Sequence, residues 1–343
     1  MDPARVAAVQ LDLQDERWLT FVSSRPETLP FHHPAWAQLV GDAYGFDQFA
    51  LSVLDGDNRI VGGVPVVDVK SRLGRRRWVS LPFTDHCPPL VGERDAARLL
   101  NAIELARTGA GVASVEVRGR LQAATVETDA VIHVLPLDDD PALTERHFRA
   151  SVRRNIRAGV RRGVVIRRAE ARRDLVQSFY DLQVQTRRRL GLPAQPRRFF
   201  ASLWDRIFDR ELGFLLLAHV GRRPVAGAVF LTWNGTITFK YGASDAAFWS
   251  YRPNHVLFAE AIQWACTNRF RRFDFGRTST ADEGLRRFKL SWGPGEAPLV
   301  YTMLGPPRRP HSQWSKALLA RAIRRSPSWV VRASGELLYR YEA

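Results

Sequence analysis

The sequence contains little cysteine and no long hydrophobic run, and both shortages exclude classes of structure. Its two cysteines, Cys87 and Cys266, are too few for a disulfide framework or a cysteine-based zinc site. No window approaches the run of about 18 apolar residues that a transmembrane helix needs. The first twenty residues carry four carboxylates and no apolar core, so we expect no signal peptide and a cytoplasmic setting.

Positive charge is in large excess. The sequence has 51 lysines and arginines against 35 aspartates and glutamates, which gives a net charge of +16. Only four of the 51 are lysines, a skew that GC-rich codon usage alone can produce. The excess of base over acid favours a polyanion: tRNA, a phosphorylated small-molecule substrate, or peripheral contact with an anionic membrane, without DNA specificity. Basic solubility without such a partner is the alternative.

An internal repeat divides the chain, whose 343 residues correspond to about two ordinary domains. Phe49 and Phe214 each stand seven residues before a glycine, and a second glycine follows six residues later in both segments. Apolar runs on either side of a polar, glycine-containing turn are typical of a β-hairpin. A strand, a helical stretch and another strand follow each hairpin in the same order, so we predict a duplicated unit.

This order of elements resembles the GNAT acyltransferase fold. The predicted fold class is α/β (α+β), with two tandem GNAT-like lobes, each a mostly antiparallel twisted sheet with packed helices. We place the first lobe at residues 1–140 and the second lobe, with a basic entry helix, at 141–310. A basic amphipathic tail covers 311–343 and is expected either to dock on the second lobe or to rest on the inner face of the membrane.

The basic entry helix is predicted between a cap at Asp140 and an end at Gly163. An apolar stripe that faces a core recurs every four positions, at Phe148, Val152, Ile156 and Val160. The guanidinium groups of Arg153, Arg154 and Arg157 are expected to converge and bind phosphate oxygens. A solvated basic helix face is the alternative.

Four strings resemble the FemAB-like transferases of the GNAT superfamily, and nearest the branch with a BioF2-like acetyltransferase domain. They are VRRNIR at 152–157, RPNHVL at 252–257, FDFGR at 273–277 and GLRRFKLSWG at 284–293. The likeness spans roughly residues 30–305. The best-understood members of the family move an amino acid from aminoacyl-tRNA onto an amine of a peptidoglycan precursor, so the resemblance implies an acyltransferase. The long coiled-coil arm of some members is missing, and their mode of docking tRNA is not carried over.

The resemblance also implies one catalytic position. In the family the lysine of a Phe-Lys pair faces the charge that develops at the reacting ester, and this role falls on Lys289 beside Phe288. The alternative is a surface lysine whose stem packs on Trp292.

A second catalytic candidate is Asp274, which alternation places on the strand face opposite Phe273 and Phe275. Its carboxylate can accept an ammonium proton or hydrogen-bond the acceptor amine. The alternative is a structural carboxylate paired with Arg277 or Arg252.

Weaker candidates complete the predicted site. Besides the three arginines of the entry helix, the substrate-binding candidates are Asn155, Lys240, Tyr241, Arg252, Asn254, Arg277, Phe288 and Trp292. Asp85 and His86 end the matching strand of the first lobe, where they would lie on the acceptor side, although the two prolines that follow favour a turn. His32 and His33 precede an apolar helix and indicate capping or packing.

The segment that would bind coenzyme A is poorly suited to it. GNAT enzymes that use this donor hold its pyrophosphate with a glycine-containing loop and the N–H groups of a helix N-terminus. Here Pro253 and His255 stand in that segment. We therefore predict aminoacyl-tRNA as the co-substrate, with acyl-CoA as the alternative, and neither a permanently bound cofactor nor a metal.

The predicted function is an N-aminoacyltransferase that acts on an amine of a peptidoglycan-type cell-envelope precursor or a small metabolite. An acyl-CoA-dependent N-acyltransferase and a non-catalytic RNA- or membrane-binding protein are the alternatives.

Overall fold

The structure, a computed structural model, describes residues 8–71, 74–122, 125–306 and 313–342. The described residues form two compact units. Unit 1 holds those between 8 and 130 and between 298 and 306, and unit 2 holds those between 131 and 297 and between 313 and 342. The chain thus returns to unit 1 after unit 2. The predicted division into consecutive lobes at residues 140 and 310 does not include this return.

Unit 1 is a mostly antiparallel sheet with helices. Its elements are β1 (Val9–Leu11), α1 (Glu16–Ser23), α2 (Pro34–Tyr44), β2 (Asp47–Leu54), β3 (Ile60–Lys70), β4 (Arg76–Val79), β5 (Leu90–Val91), α3 (Glu93–Gly109), β6 (Ser114–Val117) and β7 (Thr125–Pro136), whose last residues belong to unit 2. Strands β1 to β4 pair antiparallel in sequence order. Strand β4 pairs parallel with β6 after the crossover through α3.

Unit 2 repeats this arrangement. Its elements are α4 (Pro141–Glu145), α5 (Ala150–Arg161), β8 (Val164–Arg168), a π-helical segment (Asp174–Phe179), α6 (Tyr180–Leu190), α7 (Arg197–Arg206), β9 (Gly213–Val220), β10 (Arg223–Trp233), β11 (Thr236–Ser244), α8 (Pro253–Thr267), β12 (Arg272–Ser279), α9 (Glu283–Leu290), β13 (Gly295–Leu304), which ends in unit 1, α10 (Gln313–Arg325) and α11 (Ser328–Leu338). Strands β8 to β11 pair antiparallel, and β11 pairs parallel with β12 after α8.

The predicted duplication is confirmed, and each unit is a mostly antiparallel sheet with packed helices. Phe49 lies in β2 and Phe214 in β9, and each strand is the first of its hairpin. Both side chains are buried in the core of their own unit: Phe49 packs edge-on against Trp78 and Phe214 against Trp264. The first strand of each hairpin therefore places its phenylalanine in the core of its own unit, against a strand residue in unit 1 and a residue of the crossover helix α8 in unit 2.

The predicted entry helix is two helices. Asp140 does cap α4 by accepting the N–H of Ala142, but α4 ends at Glu145 and α5 begins at Ala150. The break allows Phe148 to enter the core, where its ring meets Trp292 edge-on at 4.9 Å. Val160 was expected in the buried stripe and is exposed, because α5 turns that side to solvent.

His32 and His33 have the structural roles that were predicted. His33 caps α2, since its Nδ1 accepts the N–H of Ala35. His32 is fully buried: Nδ1 accepts the N–H of Leu29 at 2.9 Å, and Nε2 lies 2.8 Å from the carbonyl oxygen of Pro88. Only a neutral imidazole can satisfy both partners, with Nε2 as the donor. Burial accordingly lowers the pKa of His32 to about 4.

This pKa predicts a loss of stability in acid. The folded-state pKa lies below the unfolded value near 6.5, so His32 stabilises the fold above about pH 6.5, and that contribution is lost as the pH falls towards 4. A shift of this size corresponds to about 3 kcal/mol. Urea unfolding at a series of pH values measures it, with His32→Gln as the control that lacks this titration. Parallel pH dependences for the two proteins would contradict the assignment.

The C-terminal helices pack on unit 2. Helices α10 and α11 both contact α6, and the Arg332 guanidinium lies 2.7 Å from the Asp181 carboxylate. A Cβ at Gly335 would lie 1.8 Å from the carbonyl oxygen of Ala194, so only glycine fits there. One side of the predicted tail therefore docks on the second unit, while residues 311, 312 and 343 of that tail lie outside the described residues. No helix in the described part of the chain is long and apolar enough to cross a membrane.

Candidate active site

A wedge opens between two parallel strands of unit 2. Strands β11 and β12 pair from Thr236 opposite Arg272 to Thr238 opposite Asp274. Beyond Thr238, β11 stays paired with β10 as far as Ser244. The carboxyl ends of parallel strands that separate in this way are the usual place for a ligand in α/β sheets.

A cleft of about 200 Å³ lies where the chain leaves β11 and enters α8. Its lining residues are Trp249, Arg252, Pro253, Asn254, His255 and Phe288. Arg252 has a φ of +59° and turns the chain so that Pro253 begins α8. Trp249 is held at the rim, because its Nε1 donates to Ser244 Oγ and the Arg189 guanidinium lies over its ring.

His255 is the titratable group of this cleft that the sequence did not assign to the site. Burial, and then the charge of Arg252, lower its pKa to about 4, so the imidazole is neutral at pH 7. Its Nε2 lies 3.2 Å from the side-chain amide nitrogen of Asn155. Its ring meets Phe288 edge-on and stacks on Trp292. In the sequence, His255 stands in the string RPNHVL at 252–257, where it was interpreted only as a residue unsuited to the binding of coenzyme A.

Lys289 lies in the interior of unit 2. Its side chain is 2% exposed, and its Nζ donates to the carbonyl oxygens of Gly276 and Arg277, each at 2.9 Å. Gly276 has a φ of +70°, a conformation that favours glycine, and it turns the end of β12 towards the ammonium group. The alternative of a surface lysine is therefore wrong. A buried ammonium needs partners of this kind, because its desolvation is costly.

Asp274 supports the same turn from the other side. Its carboxylate is buried, and Oδ1 accepts the N–H of Gly276 at 2.7 Å. Phe273 and Phe275 lie together in the core, with ring centroids 4.7 Å apart, as strand alternation predicted. Asp274 and Lys289 thus fix the backbone at Gly276 with one acceptor and one donor.

Comparisons with known proteins bear on the fold. Residues 146–290 match the model of the acetyltransferase (GNAT) domain family. FemX has a similar structure, with a TM-score of 0.68 at 14% identity over 85% of this chain and 96% of FemX. The chain therefore has a GNAT-like fold, and its acetyltransferase match lies within unit 2.

Two other solved structures share this fold, and the first of them confirms the predicted tandem GNAT-like fold class. A tandem GNAT protein from the clavulanic acid biosynthesis pathway aligns with a TM-score of 0.53 at 13% identity, over 89% of this chain and 100% of that one. The DUF2156 domain of an Agrobacterium fabrum protein described as a lysylphosphatidylglycerol synthetase aligns with a TM-score of 0.57 at 14% identity, over 90% and 94%. No curated protein matches the sequence.

Helix α5 crosses the N-terminal end of α8. A Cβ at Gly159 would lie 2.5 Å from Val256 and 3.1 Å from the carbonyl oxygen of Tyr251, so a small residue allows the close approach. Arg162 donates to the carbonyl oxygen of Ser250 at 2.6 Å. The side of α5 that contains Asn155 and Gly159 therefore faces the cleft region, and the opposite side faces solvent.

The arginines of α5 do not converge as predicted. Arg153 turns back and donates to the carbonyl oxygens of Glu145 and Phe148, which lie before the helix. Arg154 and Arg157 are exposed, and Arg161 is exposed on the same flank, four residues after Arg157. We call Arg154, Arg157 and Arg161 the arginine flank.

The other predicted binding residues lie in different surroundings. Arg252, Asn254 and Phe288 line the cleft, and Asn155 reaches it through His255. The other four candidates do not line the cleft. The ammonium group of Lys240 lies over the ring of Tyr241, which itself packs on Phe199 and Phe200. Arg277 is exposed and its carbonyl oxygen accepts a hydrogen bond from Lys289, whereas Trp292 is fully buried in the core.

Asp85 and His86 belong to unit 1, in the segment between β4 and β5. The carbonyl oxygen of Asp85 accepts the hydroxyl of Tyr301 at 2.7 Å. A Cβ at Gly119 would lie 2.4 Å from the Cα of Pro88, so the segment is packed tightly against its neighbours. This packing favours the interpretation of Asp85 and His86 as part of a turn.

Proposed function

We propose that this protein is a FemAB-like acyltransferase that moves an aminoacyl group from aminoacyl-tRNA to an amine of a cell-envelope precursor or a small metabolite. The observation that carries this choice of donor is the first turn of α8. Pro253 occupies its first position and has no N–H to offer a pyrophosphate. The side chains of Trp249, His255 and Phe288 line the space in front of it. A coenzyme A pyrophosphate would find aromatic rings there in place of a glycine loop.

The charged groups near this turn suit RNA. The arginine flank is exposed on the solvent side of α5, which packs across the start of α8. Arg252 is also exposed, at the N-terminus of α8. Guanidinium groups spread over one helix face can contact successive phosphates of a nucleic-acid backbone, and the net charge of +16 favours such an encounter.

The residues of the site can assist aminolysis of an ester. The acceptor nitrogen attacks the carbonyl carbon of the aminoacyl ester, the bond to the tRNA ribose oxygen breaks, and that oxygen leaves with a proton. The resemblance to FemAB-like transferases gives Lys289, which follows Phe288 along α9, the role of supplying positive charge where the oxyanion develops. The proton released by the attacking amine passes to the leaving ribose oxygen, and His255, which is a weak base because its pKa is about 4, has a positioning role together with Asn155. Asp274 has a positioning role through Gly276.

The neighbouring structures support amino-acid transfer to a cell-envelope component. The lysylphosphatidylglycerol synthetase domain is named for a product that joins an amino acid to a lipid. An acyl-CoA-dependent N-acyltransferase is the second candidate. It is favoured by the match of residues 146–290 to a family described as acetyltransferases.

Binding of the donor tests the proposal. Thermal shift should show stabilisation by total charged tRNA and none by coenzyme A, since only species that bind the folded state raise the melting temperature. Stabilisation by coenzyme A at micromolar concentration would favour the acyl-CoA enzyme. Equal stabilisation by charged and uncharged tRNA, without transfer, would favour a non-catalytic RNA-binding protein.

A further inference from the structure

The two C-terminal helices each have one face that packs on unit 2 and one that does not. On α10 the packed face includes Ile323, which is buried, and Ala320, which lies against Gly191. On α11 it includes Val331, which is fully buried, and Gly335. Both helices contact α6 through these faces, so their opposite faces both point away from α6.

The outer faces carry the most exposed large apolar side chains among the described residues. These are Leu337 at 71%, Trp329 at 70% and Leu318 at 67% exposure. Trp329 and Leu337 are eight residues apart on α11, with the exposed Ala333 midway, so they form one stripe along the helix. Single exposed apolar residues need no explanation, but large apolar side chains along one face of α11, with a third on the outer face of the preceding helix, mark an interaction surface.

Two arginines share the outer face of α10 with Leu318. Arg321 and Arg325 are exposed on α10 and fall three and seven residues after Leu318, on the same outer face. A second copy of the chain would bring another net charge of +16 against this surface, which disfavours self-association. An anionic surface with an apolar interior fits both the arginines and the apolar stripe.

We propose that the outer face of α10 and α11 docks on an anionic lipid surface. Trp329, Leu337 and Leu318 enter the boundary between headgroups and acyl chains, and Arg321 and Arg325 contact the lipid phosphates. The inner faces keep the helix pair fixed to unit 2, so the docked protein holds its second unit at the membrane surface. This inference does not depend on which donor the acyltransferase uses.

Sedimentation with vesicles tests the proposal. The full chain should bind vesicles of phosphatidylglycerol and phosphatidylcholine and leave pure phosphatidylcholine vesicles in the supernatant. Trp329→Ser with Leu337→Ser should weaken binding at least about tenfold, because two large apolar side chains no longer leave water. Arg321→Gln with Arg325→Gln should weaken it by about fivefold for each arginine, and added salt should reduce the difference.

Two control variants keep the result specific. Leu105→Ser with Val165→Ser removes exposed apolar side chains elsewhere, and Arg59→Gln with Arg94→Gln removes two exposed positive charges elsewhere. Both variants should bind vesicles as the wild type does. Circular dichroism verifies that every variant is folded. Equal loss in the controls and the tail variants, or wild-type sedimentation of the tail variants, would overturn the proposal. So would a wild-type dimer that the Trp329→Ser, Leu337→Ser variant dissociates in the absence of vesicles.

Discussion

Lys289→Ala should lower the single-turnover rate of aminoacyl transfer by about 10²–10³-fold, the loss typical of removing one donor to an oxyanion. Charge on the ester oxygen develops only in the transition state, so the dissociation constants of the substrates should change much less. The variant should also melt at a lower temperature. The carbonyl oxygens of Gly276 and Arg277 lose a donor that lies 2.9 Å from each, and a buried carbonyl without a partner costs about 1–3 kcal/mol.

Two further variants separate the charge of Lys289 from its contribution to the fold. Lys289→Met fills most of the same volume without charge, so its rate should fall as far as that of the alanine variant while its melting temperature falls less. Lys289→Arg keeps the charge, but a planar guanidinium cannot take the place of a compact ammonium between two carbonyls, and it should recover little activity. A methionine variant with the wild-type transfer rate would show that Lys289 only holds the turn at Gly276.

Replacing the arginine flank by glutamine at all three positions should weaken tRNA binding and flatten its dependence on salt. Each phosphate contact contributes about 0.7–0.9 to the slope of log affinity against log salt concentration, so the loss of three contacts should lower the slope by about 2. Filter binding of charged tRNA over a series of salt concentrations measures both quantities. Arg153→Gln is the matched control, because it removes one charge from the same helix while its guanidinium is engaged by the Phe148 carbonyl.

The tRNA affinities and salt slopes of these variants together show whether α5 contacts RNA. Affinity and slope close to wild type in Arg153→Gln, together with a flattened slope in the triple variant, identify the flank as the RNA-contacting face. An unchanged slope in the triple variant would assign these arginines to a solvated helix face. The proposal of a tRNA donor would then lose its main electrostatic support.

The duplicated fold could be predicted because its signal is local and occurs twice. Phe49 and Phe214 start hairpins with the same glycine spacing, and strand alternation around Asp274 correctly grouped Phe273 with Phe275. The prediction of one continuous entry helix was wrong, because local sequence does not show where that helix breaks. Its periodicity continues through Phe148, but burial of that ring against Trp292, far along the chain, breaks the helix before Ala150.

The candidate site could be predicted from the sequence only in part, because it also depends on packing between segments that are far apart in the chain. The string that contains Lys289 identified the position, but burial of the ammonium depends on two carbonyls at the end of β12, which the turn at Gly276 presents. His255 was not predicted as a site residue, because its low pKa arises from burial beneath α5 and from Arg252. Sequence identifies the residue types, whereas burial and partners come from packing between distant segments.

Transfer of the radiolabelled amino acid from charged tRNA tests the account most directly. Wild-type protein is mixed with tRNA charged with labelled amino acids and with the amine-containing fraction of a cell-envelope extract, and labelled acetyl-CoA is supplied in a parallel reaction. The account predicts that label leaves tRNA and appears in an amide product, that Lys289→Ala slows this step, and that the acetyl group stays on coenzyme A. Label that remains on tRNA while acetyl-CoA is consumed would contradict it.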